Sequence, residues 1–320
     1  MPAAMTILPI QAYENGGRHG NTGSRMNFAP WSNQSSRKIP SQPCMRLMKR
    51  EMAVTLKVLS IFASLACTAS AFSAGLNFAG APLTPGGTVR VSVPLSELEK
   101  SYLREGGNAV PPYTMATLAI PRGFDPNKKW PVLLVFSSSD HLYPNWFDMM
   151  RLYRHTALAE GWVLLTGDGP KPPPTLDSTG WRAGHILAAL DALHRSFPGS
   201  QKWPIVCAGQ SGGSKRATYL APLFAARGYR VAGIFLEGIN EERITDSYRR
   251  FQPGPDFLLT PIFLSSGLRD PIATPDQQNA VEESMRRTGF KNIRHRTFPG
   301  GHQVWPTQLQ EALRWFRKGS

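Results

Sequence analysis

The sequence predicts an α/β fold with a mostly parallel central sheet and helices on both faces. Two observations carry that expectation. Short, near-continuous apolar runs such as Pro131–Phe136 (PVLLVF) have the composition of strands covered on both sides. These runs alternate with segments of helical period, the pattern of repeated strand–helix–strand units. A third observation concerns chemistry: one such strand ends in Gly209-Gln210-Ser211-Gly212-Gly213 and opens directly into a helix.

The elements follow in order. Thr114–Ile120 is predicted as a strand ended by Pro121 and Gly123. After the 131–136 strand comes a helical stretch over 145–160, then a strand at 162–165. Residues 169–180 form a Pro-rich loop with Asp177 and Ser178 available as helix caps. Ile186, Leu190 and Leu193 at i, i+4 and i+7 mark one buried face of the next helix. Strands at 204–207, 231–236, 261–264 and 293–298 then alternate with helices at 212–227 and 275–289, the latter with Asp276 as its cap. Residues 238–259 read as a loop of about twenty residues between two of these strands. A final helix after Pro306 puts Leu309, Ala312, Leu313 and Phe316 on one face.

The first 71 residues have a different character. Residues 1–44 are rich in Asn, Ser, Gly, Pro and Gln without helical or strand period, as in a disordered or spurious extension. Residues 45–71 carry the three parts of a secretory signal: basic Arg46, Lys49 and Arg50, an apolar run from Val58 to Ala69, and the small-residue site Ala69-Ser70-Ala71. The signal implies a secreted or periplasmic protein whose translation starts at Met45 or Met48. Leu65-Ala66-Cys67 also resembles the end of a lipobox, although Ser64 stands where an aliphatic residue is usual, so lipid anchoring at Cys67 is the lesser alternative. No linker divides residues 72–320, which read as a single catalytic domain.

Composition removes several function classes. The net charge of +14 is spread along the chain without a Lys/Arg block, so no nucleic-acid partner is expected. No apolar stretch reaches the roughly 18 residues of a membrane span. Cys44, Cys67 and Cys207 match neither a disulfide framework nor a zinc motif, and neither metal nor cofactor is expected. Oligomeric state is not legible.

The chemistry converges on three residues. A strand-to-helix turn of the G-x-S-x-G type lifts a serine above the sheet edge, and side chains at Gly209 or Gly213 would clash in it. The helix start also directs N–H groups at developing negative charge. A serine hydroxyl needs a base. His302, in the loop Pro299-Gly300-Gly301-His302 after the last strand, stands out over His141 and over His185, whose place inside a helix suggests solvent exposure. Asp270, beyond the penultimate strand, would orient the imidazole, with Glu237 at the end of the preceding strand as the alternative acid. An oxyanion hole would comprise the Gly212 N–H and one from the Ser137–Ser139 turn, Ser137 or Ser138 foremost. Tyr143, Trp146, Trp181 and Trp305 lie in or beside loops at the same edge, where they would line an acyl or sugar pocket or pack inside.

Residues 113–318 resemble an α/β-hydrolase of the serine esterase group, through AGQSGG, FLSSGLRDPIATP, FPGGH and PVLLVFSSSDH. They are most similar to small secreted esterases of the polyhydroxybutyrate depolymerase and feruloyl or acetylxylan esterase kind. The resemblance implies Ser211 as nucleophile, Asp270 as acid and His302 as base. It also implies a small-molecule or polysaccharide ester as substrate. Two positions depart from it: Ser137-Ser138-Ser139 replaces a common His-Gly, and Gln210 replaces an aromatic residue or histidine. A serine peptidase resembling the prolyl oligopeptidase catalytic domain, and a non-catalytic binding protein, are the competing expectations.

Overall fold

The computed structural model describes residues 75–104, 109–138, 144–170 and 179–318. The leader expected at 1–71, with Cys44 and Cys67, lies outside them, as do Ser139, His141, Tyr143, Asp177 and Ser178. The described residues fall within one compact unit.

A two-stranded ribbon, β1 (Asn77–Phe78) with β2 (Ala81–Pro82), precedes β3 (Thr88–Val93) and helix α1 (Glu97–Arg104). Then come β4 (Thr114–Ala119), β5 (Val132–Phe136), α2 (Asn145–Asp148), a π turn over Met149–Tyr153, α3 (Arg154–Ala159) and β6 (Val163–Asp168). The second half runs α4 (Thr179–Ser196), β7 (Ile205–Gln210), α5 (Gly212–Ala226), β8 (Val231–Glu237), α6 (Ile244–Phe251), β9 (Ile262–Gly267), α7 (Pro275–Thr288), β10 (Ile293–Phe298) and α8 (Pro306–Lys318).

Eight strands form one sheet in the order β3-β4-β6-β5-β7-β8-β9-β10. Only β4 runs against the others, pairing antiparallel with β3 and β6. Strand direction therefore brings the C-terminal ends of β5 to β10 to one edge. Alternation along each strand feeds two cores: Val132, Leu134 and Phe136 pack with α4 and α5, while Leu133 and Val135 pack with the π turn, α3 and α8. At about 25 cal/mol per Å² of apolar surface, burying each such side chain contributes roughly 1.5–3 kcal/mol. Leu309, Ala312, Leu313 and Phe316 of α8 face the second core, as their spacing predicts.

Four expectations are corrected. The stretch 238–259 is not plain loop: α6 lies within it and packs on α5, burying Ile244 and Ser247, because its few apolar residues recur at helical spacing. Helix α4 is buried nearly all round rather than along one face, with thirteen of its eighteen residues inside. The reason is α1, which packs so closely that a Cβ on Gly184 would fall 2.7 Å from the Glu99 carbonyl oxygen. His185 is buried against the sheet, not solvent-facing: its ring packs on Gly169, and its Nδ1 lies 2.7 Å from Thr114 Oγ1 of β4. The cap of α7 is Thr274 in a reciprocal capping box with Gln277, which leaves Asp276 in the first turn. The outer strand β10 carries Arg294 and Arg296, charges that suit an edge left unpaired.

Candidate active site

Ser211 stands between β7 and α5 with φ 56° and ψ −122°, a left-handed conformation that a serine adopts only when its surroundings impose it. The imposition is steric. A Cβ on Gly209 would lie 2.1 Å from the Gly213 carbonyl carbon, and one on Gly213 would lie 2.1 Å from Phe136 O. The Ser211 N–H donates to Glu237 O at 2.9 Å, and Ser214 Oγ donates to the same carbonyl at 2.9 Å. These bonds tie the turn to the end of β8. The Gly212 N–H opens the helix and has no intrahelical acceptor.

Asp270 and His302 meet above β8 and β9. His302 Nδ1 lies 2.8 Å from Asp270 Oδ2. The other oxygen, Oδ1, accepts from the Ile272 N–H at 2.8 Å and the Ala273 N–H at 2.9 Å. Asp270 is buried and held on both sides, so its position is set before any substrate arrives. An ionised carboxylate only accepts, so Nδ1 carries the proton and Nε2 keeps a lone pair. That Nε2 is buried without a hydrogen-bond partner. The imidazole lies over Gly238, the residue after Ser211's acceptor, where a Cβ would come within 2.8 Å of the ring. Gln210 Nε2 donates to His302 O at 3.0 Å, so the residue that departs from the esterase pattern braces the histidine loop to the serine turn. The Arg269 N–H, donating to Gly300 O at 2.9 Å, ties the aspartate loop to the histidine loop.

The β5 turn is shaped by a network that sequence reasoning missed. Asn145 Oδ1 accepts from the Ser137 N–H at 2.9 Å and from Arg182, and Arg182 Nη2 donates to Ser138 O at 3.5 Å. Asp168 accepts from the Asn145 and Trp146 N–H groups at 2.8 and 3.0 Å, capping α2, with Arg182 Nη1 at 3.7 Å. Burial pushes the Asp168 carboxyl up, against the pull of Arg182 and those amides. The Ser137 N–H is thus occupied, and Ser138 follows it as the last described residue of the turn. Nothing in the spacing of Asn145, Asp168 and Arg182 announces this cluster; only the sheet order assembles it.

Glu237 is a further buried acid at this edge. Ser265 is its register neighbour on β9, yet both carboxyl oxygens and Ser265 Oγ lack a partner at hydrogen-bond geometry. Burial, and after it the charge of Asp270, push the Glu237 carboxyl well above the ordinary carboxylate range, with Ser265 opposing. Tyr153, nearby on the π turn, is pushed up by burial and by Glu237. An acid whose folded pKa is raised stays protonated in the native state while the unfolded chain ionises. Its contribution to stability is therefore complete below the ordinary glutamate pKa of 4.5 and declines as pH rises through the folded value. Glu237→Gln, which keeps the neutral form, is expected to flatten that decline. Urea titrations from pH 5 to pH 9 would show it, and equal slopes in both proteins would count against a neutral Glu237.

Of the aromatic residues, Trp146 and Trp181 line one cleft at this edge, while Trp305 stacks on Phe298 with centroids 4.9 Å apart. Cys207 is buried within β7, and burial pushes its thiol up.

A strained serine turn after β7, a single reversed strand and loops converging beyond β7, β9 and β10 decide the architecture. The chain has the α/β-hydrolase fold. Solved structures that share it include a ferulic acid esterase, with TM-score 0.50, 17% identity, and coverage of 74% of this chain and 100% of that one. A bacterial heroin esterase aligns with TM-score 0.51, 18% identity, and coverage of 73% and 84%. No family model matches the chain, and no curated protein matches its sequence. No helix among the described residues of this chain is long and apolar enough to cross a membrane.

Proposed function

We propose that the protein is a serine carboxylic-ester hydrolase acting through an acyl-enzyme. The observation that carries this reading is the His302 Nδ1–Asp270 Oδ2 contact of 2.8 Å beside a strained serine turn. Ser211 Oγ attacks the ester carbonyl carbon while its proton passes to His302 Nε2. The tetrahedral oxyanion is held by the Gly212 N–H and, since the Ser137 amide is taken, by that of Ser138. As the intermediate collapses, the carbon–oxygen bond to the alcohol breaks and His302 returns the proton to the leaving oxygen. Water, deprotonated by His302, then releases the acid and restores Ser211. None of these steps calls for a cofactor.

The esterase character of the solved structures with this fold supports the reading. The leader at 45–71 supports a secreted or periplasmic location. A fluorophosphonate probe tests the reading directly: labelling at Ser211 is expected, and an unlabelled folded protein would favour a binding role. A peptide amide cleaved faster than its matching ester would instead favour a peptidase.

Substrate size follows from the 238–254 segment. Its charges, Glu241, Glu242, Arg243, Asp246, Arg249 and Arg250, leave no broad apolar face of the kind a lipase lid requires. Short acyl chains, or acyl groups on a polar carrier such as a polysaccharide, suit such an edge. Activity on p-nitrophenyl esters is expected to fall beyond about six to eight acyl carbons, with no jump at micelle formation. A preference for long-chain emulsions would sink this.

A further inference from the structure

Beyond the triad, the same sheet edge carries a cleft of about 250 Å³ at the end of β6, lined by Trp146, Trp181, His185, Asp168 and Arg182. Two strand spacings of about 4.8 Å separate β6 from β7, so the cleft lies about 10 Å from the nucleophile turn. That is the reach of a substrate's non-reacting end. Arg90, on the outer strand β3, stands at its rim with the guanidinium 4.9 Å from the Trp146 ring centroid. The arginine is exposed, and no carboxylate among the described residues is paired with it at salt-bridge distance, although Asp168 feels its charge. Asp168, the nearby acid, is already engaged by two backbone amides and by Arg182. Counted over the described residues that line it, the cleft is net positive whether Asp168 is ionised or neutral.

We propose that this cleft is a subsite for an anionic, ring-sized group, and that Arg90 selects esters bearing a free carboxylate away from the scissile bond. Three features fit such a group. The aromatic walls match a planar ring, the volume admits a single ring, and a guanidinium stacked on Trp146 is pre-oriented to present its N–H fork to a carboxylate. The inference rests on the esterase reading for what the bound group belongs to, but the site itself can be tested without turnover.

The test is a ligand-observed NMR titration of the full chain carrying Ser211→Ala, with benzoate and its neutral analogue benzamide as probes. Benzoate is expected to bind about five- to tenfold more tightly, the scale of one partly exposed charge-assisted contact. Arg90→Gln in the same background should remove that preference, and 1 M salt should shrink it, since the Debye length there is about 3 Å. Equal affinity for the two probes, no binding of either, or a preference that survives Arg90→Gln would each overturn the proposal. Hydrolysis by the protein with Ser211 intact then locates the carboxylate. Monophenyl suberate carries it in the acyl part and 4′-acetoxybiphenyl-4-carboxylate in the alcohol part, each about 10 Å from the ester carbon, and the preferred ester should lose its advantage over the neutral analogue in Arg90→Gln. Should neither ester be cleaved while the Arg90-dependent benzoate preference persists, the esterase reading fails and the subsite stands.

Discussion

Ser211→Ala is expected to lower ester turnover by about 10⁶-fold and to abolish fluorophosphonate labelling while leaving the fold intact. The magnitude reflects loss of the acyl-enzyme route, with the oxyanion donors and substrate binding supplying what residual rate remains. The fold should survive because the turn is imposed by Gly209, Gly213 and the backbone bond from Ser211 N–H to Glu237 O, none of which uses the serine hydroxyl. Single-turnover kinetics with a p-nitrophenyl ester, beside circular dichroism, would check both halves. Persistent labelling or turnover in a folded variant would place the nucleophile elsewhere.

Asp270→Asn should cost about 10⁴-fold in turnover, and the geometry says why. Asp270 Oδ1 accepts the Ile272 and Ala273 amides, so an asparagine keeps its carbonyl oxygen there and turns its NH₂ toward His302 Nδ1. Facing a donor, Nδ1 must become the acceptor, and the proton moves to Nε2. The nitrogen that should take the serine proton is then already protonated. Near-normal turnover in Asp270→Asn, with collapse in Glu237→Gln, would move the acid to β8. The Glu237 carboxyl oxygens have no partner at hydrogen-bond geometry, and burial favours the neutral form, which makes Glu237 a poor orienter of an imidazolium.

Much of this was readable in advance because the signals are local. The PVLLVF run of β5, the G-x-S-x-G turn and the α8 spacing of Leu309, Ala312, Leu313 and Phe316 each depend on residues within a few positions of one another. The Thr-Val-Arg-Val-Ser-Val alternation of β3 is equally local and marks a half-exposed strand, yet it carries no chemistry of its own to draw notice. His185 escaped for a different reason. Its helix shows a one-sided period in its leucines and isoleucine, and only the sheet order sets the His185 ring against Thr114 of β4 and Gly169 beyond β6.

The sequence by itself determined the class of fold, the strained serine turn, and the chain order of serine, aspartate and histidine at strand ends. Each of these follows from short-range sterics and periodicity, which a chain expresses wherever it folds. Tertiary structure alone decided the rest. The order β3-β4-β6-β5-β7-β8-β9-β10 sets His302 against Asp270, commits the Ser137 amide to Asn145, strands the Glu237 carboxyl beside Ser265, and carries Arg90 across β4 to the rim of the β6 cleft. These contacts join residues tens of positions apart. Their geometry depends on which strands pair, a choice made by burial summed over the whole sheet and by no single segment.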